Sequence, residues 1–139
     1  MIEVREVVKK EIHGVYHLMN MGVREGLILK RSKKELLSLV KSGMVIGAFD
    51  GEVLVGMAVL DFYSKRLSEL RSIYILHNYR SLGVGKQVVA AVIKKAKSLH
   101  VKELMTVTVK DKKGFFEKYG FNEAVHDFKL ALFKELWLN

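Results

Sequence analysis

The chain has 139 residues, half of them hydrophobic, and carries 24 lysines and arginines against 15 aspartates and glutamates, a formal net charge of +9. That length suits one domain with a sizeable core, and the apolar content excludes a disordered chain. The absence of cysteine excludes disulfides, thiolate–zinc sites and a cysteine nucleophile, while the positive balance fits a nucleic acid, an anionic membrane or a polyanionic coenzyme.

The opening residues, M-I-E-V-R-E-V-V-K-K, hold acids and no continuous apolar run, so they do not read as a secretory signal. No apolar stretch reaches transmembrane length. A cytoplasmic protein without a membrane partner is expected. Residues 2–8 read as a first strand. Ile12, Val15, Tyr16 and Met19 recur at helical spacing, predicting a first helix that ends near Gly22. A basic, glycine-containing loop covers residues 24–31. Ser32-Lys33-Lys34-Glu35 forms a capping box that opens a second helix through Leu36, Leu37, Leu39 and Val40, stopped by Gly43. Residues 44–49 and 53–62 read as strands joined by an Asp50-Gly51 hairpin signal, with Gly56 as the mark of a bulge.

Residues 73–76 read as the next strand. Val88, Val89, Val92, Ile93, Ala96 and Leu99 then line one face of a helix of about four turns. Residues 104–109 read as a strand, Phe115, Phe116 and Tyr119 as a short helix closed by Gly120, and the alternation of Phe128, Leu130 and Leu132 as a terminal strand. The predicted order is β-α-α-β-β-β-α-β-α-β. No linker, repeat or low-complexity segment interrupts it, so residues 1–139 are expected to form a single α/β (α+β) domain.

Between the central strand and the long helix lies Arg80-Ser81-Leu82-Gly83-Val84-Gly85-Lys86. Gly83 and Gly85 let the backbone approach a ligand closely. The following helix start offers free N–H groups and a positive dipole end, and together these suit a diphosphate. The alternative is an ordinary strand-to-helix turn. No Gly-Lys-Ser/Thr follows, so this is not the nucleoside-triphosphate loop. The third glycine of a dinucleotide fingerprint is also missing. His13 and His17 sit one helical turn apart, but no third ligand accompanies them and no metal is expected.

Arg80-Ser81-Leu82-Gly83-Val84-Gly85 resembles the R/Q-x-x-G-x-G/A signature of the GNAT superfamily of acetyl-CoA-dependent N-acetyltransferases. Two further stretches agree in register. Residues 75–80, I-L-H-N-Y-R, are similar to V-x-P-x-Y-R with His77 in place of proline. Residues 115–121, F-F-E-K-Y-G-F, are similar to F-Y-E-K-x-G-F. Within the superfamily, I-L-K-R-S at 28–32, S-E-L-R-S at 68–72 and L-F-K-E-L-W at 132–137 resemble stretches of the N-acetylglutamate synthases, without their prolines and without an amino-acid-kinase domain. The resemblance implies the acyl-CoA N-acyltransferase fold, a mixed and mostly antiparallel sheet with helices on both faces.

It also implies roles. Acetyl-CoA is the co-substrate, with its pyrophosphate on the main chain of Arg80, Ser81, Leu82, Gly83, Val84, Gly85 and Lys86. Its pantetheine arm would lie along the main chain of Ile73, Tyr74 and Ile75, with the Ile75 N–H stabilising the oxyanion. Glu69 is the candidate base for the incoming amine. A tyrosine often serves as the acid where this chain has Phe116; Tyr119 and Tyr79 are substitutes, and unassisted thiolate departure is preferred. A glutamate acceptor, as in arginine biosynthesis, would need cations, for which Arg31 and Arg71 are the first candidates, then Lys30, Arg24 and Arg66. The alternatives are another small amine, a protein amine, or a non-catalytic acyl-CoA-binding module. Nucleic acid is disfavoured because the basic residues are scattered and not interleaved with aromatics. A terminal apolar strand and Trp137 would suit a homodimer.

Overall fold

The computed structural model describes residues 1–108, 112–123 and 130–135. In chain order these are β1 (Ile2–Glu6), α1 (Ile12–Arg24), α2 (Lys33–Lys41), β2 (Val45–Asp50), β3 (Val53–Phe62), β4 (Leu67–Ile75), α3 (Val84–Ser98), β5 (Glu103–Thr108), α4 (Lys113–Glu117), β6 (Asn122–Glu123) and β7 (Leu130–Glu135), with one-turn 3-10 segments before α1 and after β4. The strands form one sheet in the order β1-β2-β3-β4-β5-β7-β6. Each pairing is antiparallel except β4 with β5.

Period-two alternation along the central strands divides the core between the two faces of the sheet. Val45, Phe49, Leu54, Met57, Val59 and Tyr74 meet Val15, Leu18 and Met19 of α1 and Leu36 and Val40 of α2. Ile46, Ala48, Val55, Ala58, Leu60 and Leu70 meet Val88, Val89, Val92 and Ala96 of α3, with Phe116 and Phe121 beyond. Helices therefore cover both faces, as expected.

Several boundaries differ from the sequence reading. Helix α1 continues through Gly22 to Arg24. Gly22 is a packing glycine there, since a Cβ would lie 2.8 Å from the Ile28 side chain and 3.1 Å from the Tyr74 ring. The β2–β3 turn centres on Gly51 and Glu52, because Asp50 is already paired with Val53. Gly51 has φ +61°. The bulge expected near Gly56 is present: Ala48 faces Gly56 and Phe49 faces Leu54, which leaves Val55 as the extra residue. Strand β4 begins at Leu67, well before the apolar run that signalled it, and Leu76 lies past its end. At Ser32 only half of the capping box forms. The hydroxyl accepts from the Glu35 N–H at 3.0 Å, while the Glu35 carboxylate accepts from Arg31 Nη1.

The C-terminal strand corrects the premise for pairing between copies. Strand β7 runs between β5 and β6 and is not an edge; the edges are β1 and β6. Phe128 and Trp137 lie outside the described residues. Among the described residues no helix is long and apolar enough to cross a membrane.

Leu60 is fully buried on the α3 side of β3. Leu60→Ala should cost about 2–5 kcal/mol, read as a lower denaturant midpoint with an unchanged m-value.

Candidate active site

Two irregularities in β4 create the site. The first is its parting from β5. The parallel register holds only Leu67, Ser68 and Glu69 against Glu103, Leu104 and Met105. One step on, the buried Thr106 hydroxyl donates to the Leu70 carbonyl at 2.9 Å, a side chain standing in for a ladder bond. Beyond that point β5 continues along β7, and among the described residues the rest of β4 has an open edge. Thr106 gave no signal in the sequence beyond its strand.

The second irregularity is a bulge. On the other side of β4, Val59 faces Arg71 and Met57 faces Tyr74, so three steps on β4 match two on β3. Ser72 and Ile73 have no register partner on β3, and Ser72 has φ +54°. The extra residue resets the alternation. Leu70 before it and Ile73 and Ile75 after it pack on the α3 face, while Tyr74 packs on the α1 face. Leu76 N–H donates to the Val55 carbonyl at 2.8 Å, so by alternation the Tyr74 main chain faces β3 and that of Ile75 faces the open edge. This corrects the expectation for Tyr74, whose main chain is turned away from the edge. Its ring is buried, and its hydroxyl donates to the Glu25 carboxylate.

The glycine loop closes one end of this edge. Ser81 and Gly83 both have positive φ, +65° and +81°. Gly83 is the N-cap of α3, and no side chain caps the helix. The Gln87 N–H reaches the Gly83 carbonyl, whereas the N–H groups of Val84, Gly85 and Lys86 meet no protein acceptor among the described residues. A Cβ on Gly83 would meet nothing within 4 Å, so the glycine serves backbone geometry and leaves the space above it open. Leu82 and Lys86 are exposed. The Arg80 side chain is turned back toward the sheet. Its Nε donates to the Ile75 carbonyl at 2.8 Å, its Nη2 to Glu25 at 3.0 Å, and its guanidinium lies 5.4 Å from the Tyr74 ring centre. Tyr79 donates to Asp50 at 2.6 Å. Hydrogen bonding to that carboxylate holds its pKa above the ordinary tyrosine value.

On the α1–α2 face, β3 and β4 present a network of charges. Glu69, Arg71 and Asp61 share that face, and Asp61 is directly across from Glu69. Arg31, 7% exposed, brings its guanidinium in from the α1–α2 loop. It binds Asp61 through both terminal nitrogens (3.0 and 2.7 Å), Glu35 at 2.7 Å, and Ser72 Oγ through Nε at 2.9 Å. Burial works against its charge, but the bonds to Asp61 and Glu35 prevail and its pKa is raised. Its fork is thus occupied by protein groups. Arg71 is more exposed and sits 3.6 Å from Asp61 and 3.8 Å from Glu69. Lys30, Arg24 and Arg66 are exposed on loops or a helix end. Tyr63, which the sequence reading missed, donates to Glu69 at 2.7 Å. Burial and the adjacent Glu69 carboxylate push its pKa up, so it remains a donor at neutral pH. The signal for Tyr63 was present: it continues the odd-numbered face of β3 through Val59 and Asp61. Phe116 is buried in the core, and Tyr119 follows α4, its pKa raised by burial. Among the described residues no group of His, Asp and Glu could hold a metal.

Hydrogen bonds from Tyr74 and then Arg80 hold the Glu25 pKa below the ordinary carboxylate range. A lowered folded pKa gives stability that is complete above the unfolded value and is lost as pH falls through the folded one. Glu25→Gln should therefore lower the melting temperature at neutral pH and flatten its decline between about pH 5 and pH 3, measured by scanning calorimetry across that range.

Comparison with known proteins identifies the family. The acetyltransferase (GNAT) family model matches residues 15–121. An uncharacterized N-acetyltransferase of Chlorobaculum tepidum is 27% identical over 104 residues, 75% of this chain and 64% of that protein. An amino-acid acetyltransferase of Aeromonas salmonicida is 26% identical over 120 residues, 86% of this chain and 27% of that protein. The chain thus spans less than two thirds of these relatives. Among solved structures, N-acetylglutamate synthase from Neisseria gonorrhoeae, complexed with coenzyme A and N-acetyl-glutamate, superposes with a TM-score of 0.85 at 18% identity, over 98% of this chain and 35% of that one. With the family model matched across most of its length, the chain belongs to the acetyltransferase (GNAT) family.

Proposed function

We propose that this protein transfers the acetyl group of acetyl-CoA to a primary amine by direct attack, with an α-amino acid such as glutamate as the acceptor. The observation that carries this reading is the unpaired edge of β4, which leads to three unaccepted N–H groups at the start of α3. A pantetheine arm is an extended chain of amides and fits a vacant strand position. A pyrophosphate fits a helix start whose donors lack partners and whose Gly83 leaves space above it. Coenzyme A supplies the acetyl group as a thioester; the protein supplies main-chain donors, a base and the orientation of both reactants.

Within this reading the main chain does most of the coenzyme binding. Val84, Gly85 and Lys86 offer amides to the diphosphate, and Ser81 and Gly83 set the loop that exposes them. Arg80 acts indirectly, by holding the Ile75 carbonyl and Glu25. The donor for the thioester carbonyl must lie near the base. At about 3.3 Å per residue, Ile75 is about 20 Å along β4 from Glu69, and Ile73 about 13 Å. We therefore assign the oxyanion contact to the Ile73 N–H, beside the bulge, and leave Ile75 to the arm. One such preorganised donor is worth about 3 kcal/mol. Glu69, oriented by Tyr63, accepts the proton of the ammonium, directly or through water. Tyr79 is committed to Asp50, Tyr119 is packed against Phe115 at the α3-side core, and Phe116 has no proton to give, so in this reading the thiolate leaves without a side-chain acid.

The amino-acid acceptor rests on the synthase-like motifs and on the names of the relatives. One observation favours a second reading, an amine with a single carboxylate or none. Arg31 is occupied by Asp61, which leaves Arg71 as the cation beside Glu69. Thiol release measured across the amino acids and simple amines separates the two. Glutamate should react fastest, and equal rates with neutral amino acids would remove it as the acceptor. Glu69→Gln should lower kcat/KM about a hundredfold, with the largest loss at low pH where the amine is hardest to deprotonate. An unchanged profile would remove Glu69 as the base.

A further inference from the structure

We infer that Arg31 is a positioning residue for the coenzyme: by fixing the bulge at Ser72 it sets the direction of the Ile73 and Ile75 main chain. The inference rests on the proposed use of the β4 edge and assigns Arg31 to the coenzyme side of the reaction, not to the acceptor carboxylate.

Four observations lead to this assignment. Ser72 is held at φ +54°, a region that L-residues other than glycine, asparagine and aspartate visit rarely. Neither Ser72 nor Ile73 has a partner on β3, so the sheet itself does not hold the extra residue in place. The tie at this point is Ser72 Oγ, which accepts from Arg31 Nε at 2.9 Å. The guanidinium making that bond cannot turn away, because both of its terminal nitrogens are bound to Asp61 on the neighbouring strand and one of them also to Glu35 on α2. Asp61 faces Glu69 across β3 and β4, and it also lies 3.6 Å from Arg71. Arg31 thus joins β3, α2 and the bulge into one unit.

The bulge decides what the edge of β4 offers. With one residue fewer, Ile73 and Ile75 would exchange faces with Tyr74, and their N–H groups would turn toward β3. If the Ser72 tether is lost, the bulge can shift along the strand, and the edge amides no longer hold one orientation. A carboxylate-binding arginine would show the opposite pattern. It would keep free donors toward the acceptor, and its loss would affect the amine and not the coenzyme.

The test uses Arg31→Lys, which keeps the charge and loses the fork, and Ser72→Ala, which removes only the tethering hydroxyl. Val40→Ala, in the same core on α2 but with no part in the polar ties to Ser72, controls for lost stability. In the free protein, the amide NMR signal of Ile75 should shift or broaden in both site variants and stay in place in the control. Calorimetry with coenzyme A should show affinity reduced about ten- to a hundredfold in both variants, the loss of one hydrogen bond to a charged group, and unchanged in the control. An unmoved Ile75 amide signal in Ser72→Ala would overturn the inference. So would an Arg31→Lys variant that keeps its coenzyme affinity and raises only KM for the amine. Failure of the unaltered protein to bind coenzyme A would instead remove the proposed function, and the Ile75 amide signal would still decide whether Arg31 fixes the bulge.

Discussion

The site depends on one failure of pairing. Strands β4 and β5 run together for three residues and then separate, each keeping its other neighbour. Parallel strands rarely part in the middle of a sheet, because every unpaired N–H and carbonyl must find a partner elsewhere. Here the divergence begins under the Thr106–Leu70 bond, and Arg80 satisfies the Ile75 carbonyl at the far end. What remains between them is a short run of main-chain donors and acceptors that an extended ligand can satisfy.

The two faces of β4 divide the work around that gap. On one side α3 is packed against Leu60, Leu70 and Ala58, which fixes its first turn beside the end of β4. On the other side the α1–α2 loop delivers Arg31 and the end of α1 delivers Glu25. Both reach the same strand, one at the bulge and one through Arg80. A basic chain has used these arginines as internal ties, each neutralised by a carboxylate. The overall charge of +9 is therefore a poor guide to how much positive charge faces the ligand.

The legible parts of this structure are those with local causes. The helices follow from 3.6-residue spacing, the hairpin from Gly51, and the turn into α3 from Gly83. The illegible parts depend on two segments at once. Ser72 carries no sign of a bulge, since serine at positive φ is set by Arg31, 41 residues away. The start of β4 at Leu67 was hidden because Glu69 and Arg71 look solvent-exposed until Asp61 and Tyr63 are placed beside them. Gly22 was read as a stop when its cause is the approach of Ile28 and Tyr74. Tyr63 was within reach of pattern reading, and Thr106 was not.

The position of β7 has a consequence for how the groove comes to exist. The far wall is β5, β7 and β6 in that spatial order, so the strand made last is inserted between two made earlier. Until it arrives, β5 joins the rest of the sheet through the register of its first three residues and the Thr106–Leu70 bond, and its outer side is an open edge. A nascent chain can complete β1 to β4 with α3 before β7 is made, but the groove acquires its second wall only when β7 pairs along β5. For that interval the incomplete domain displays a template for foreign strands.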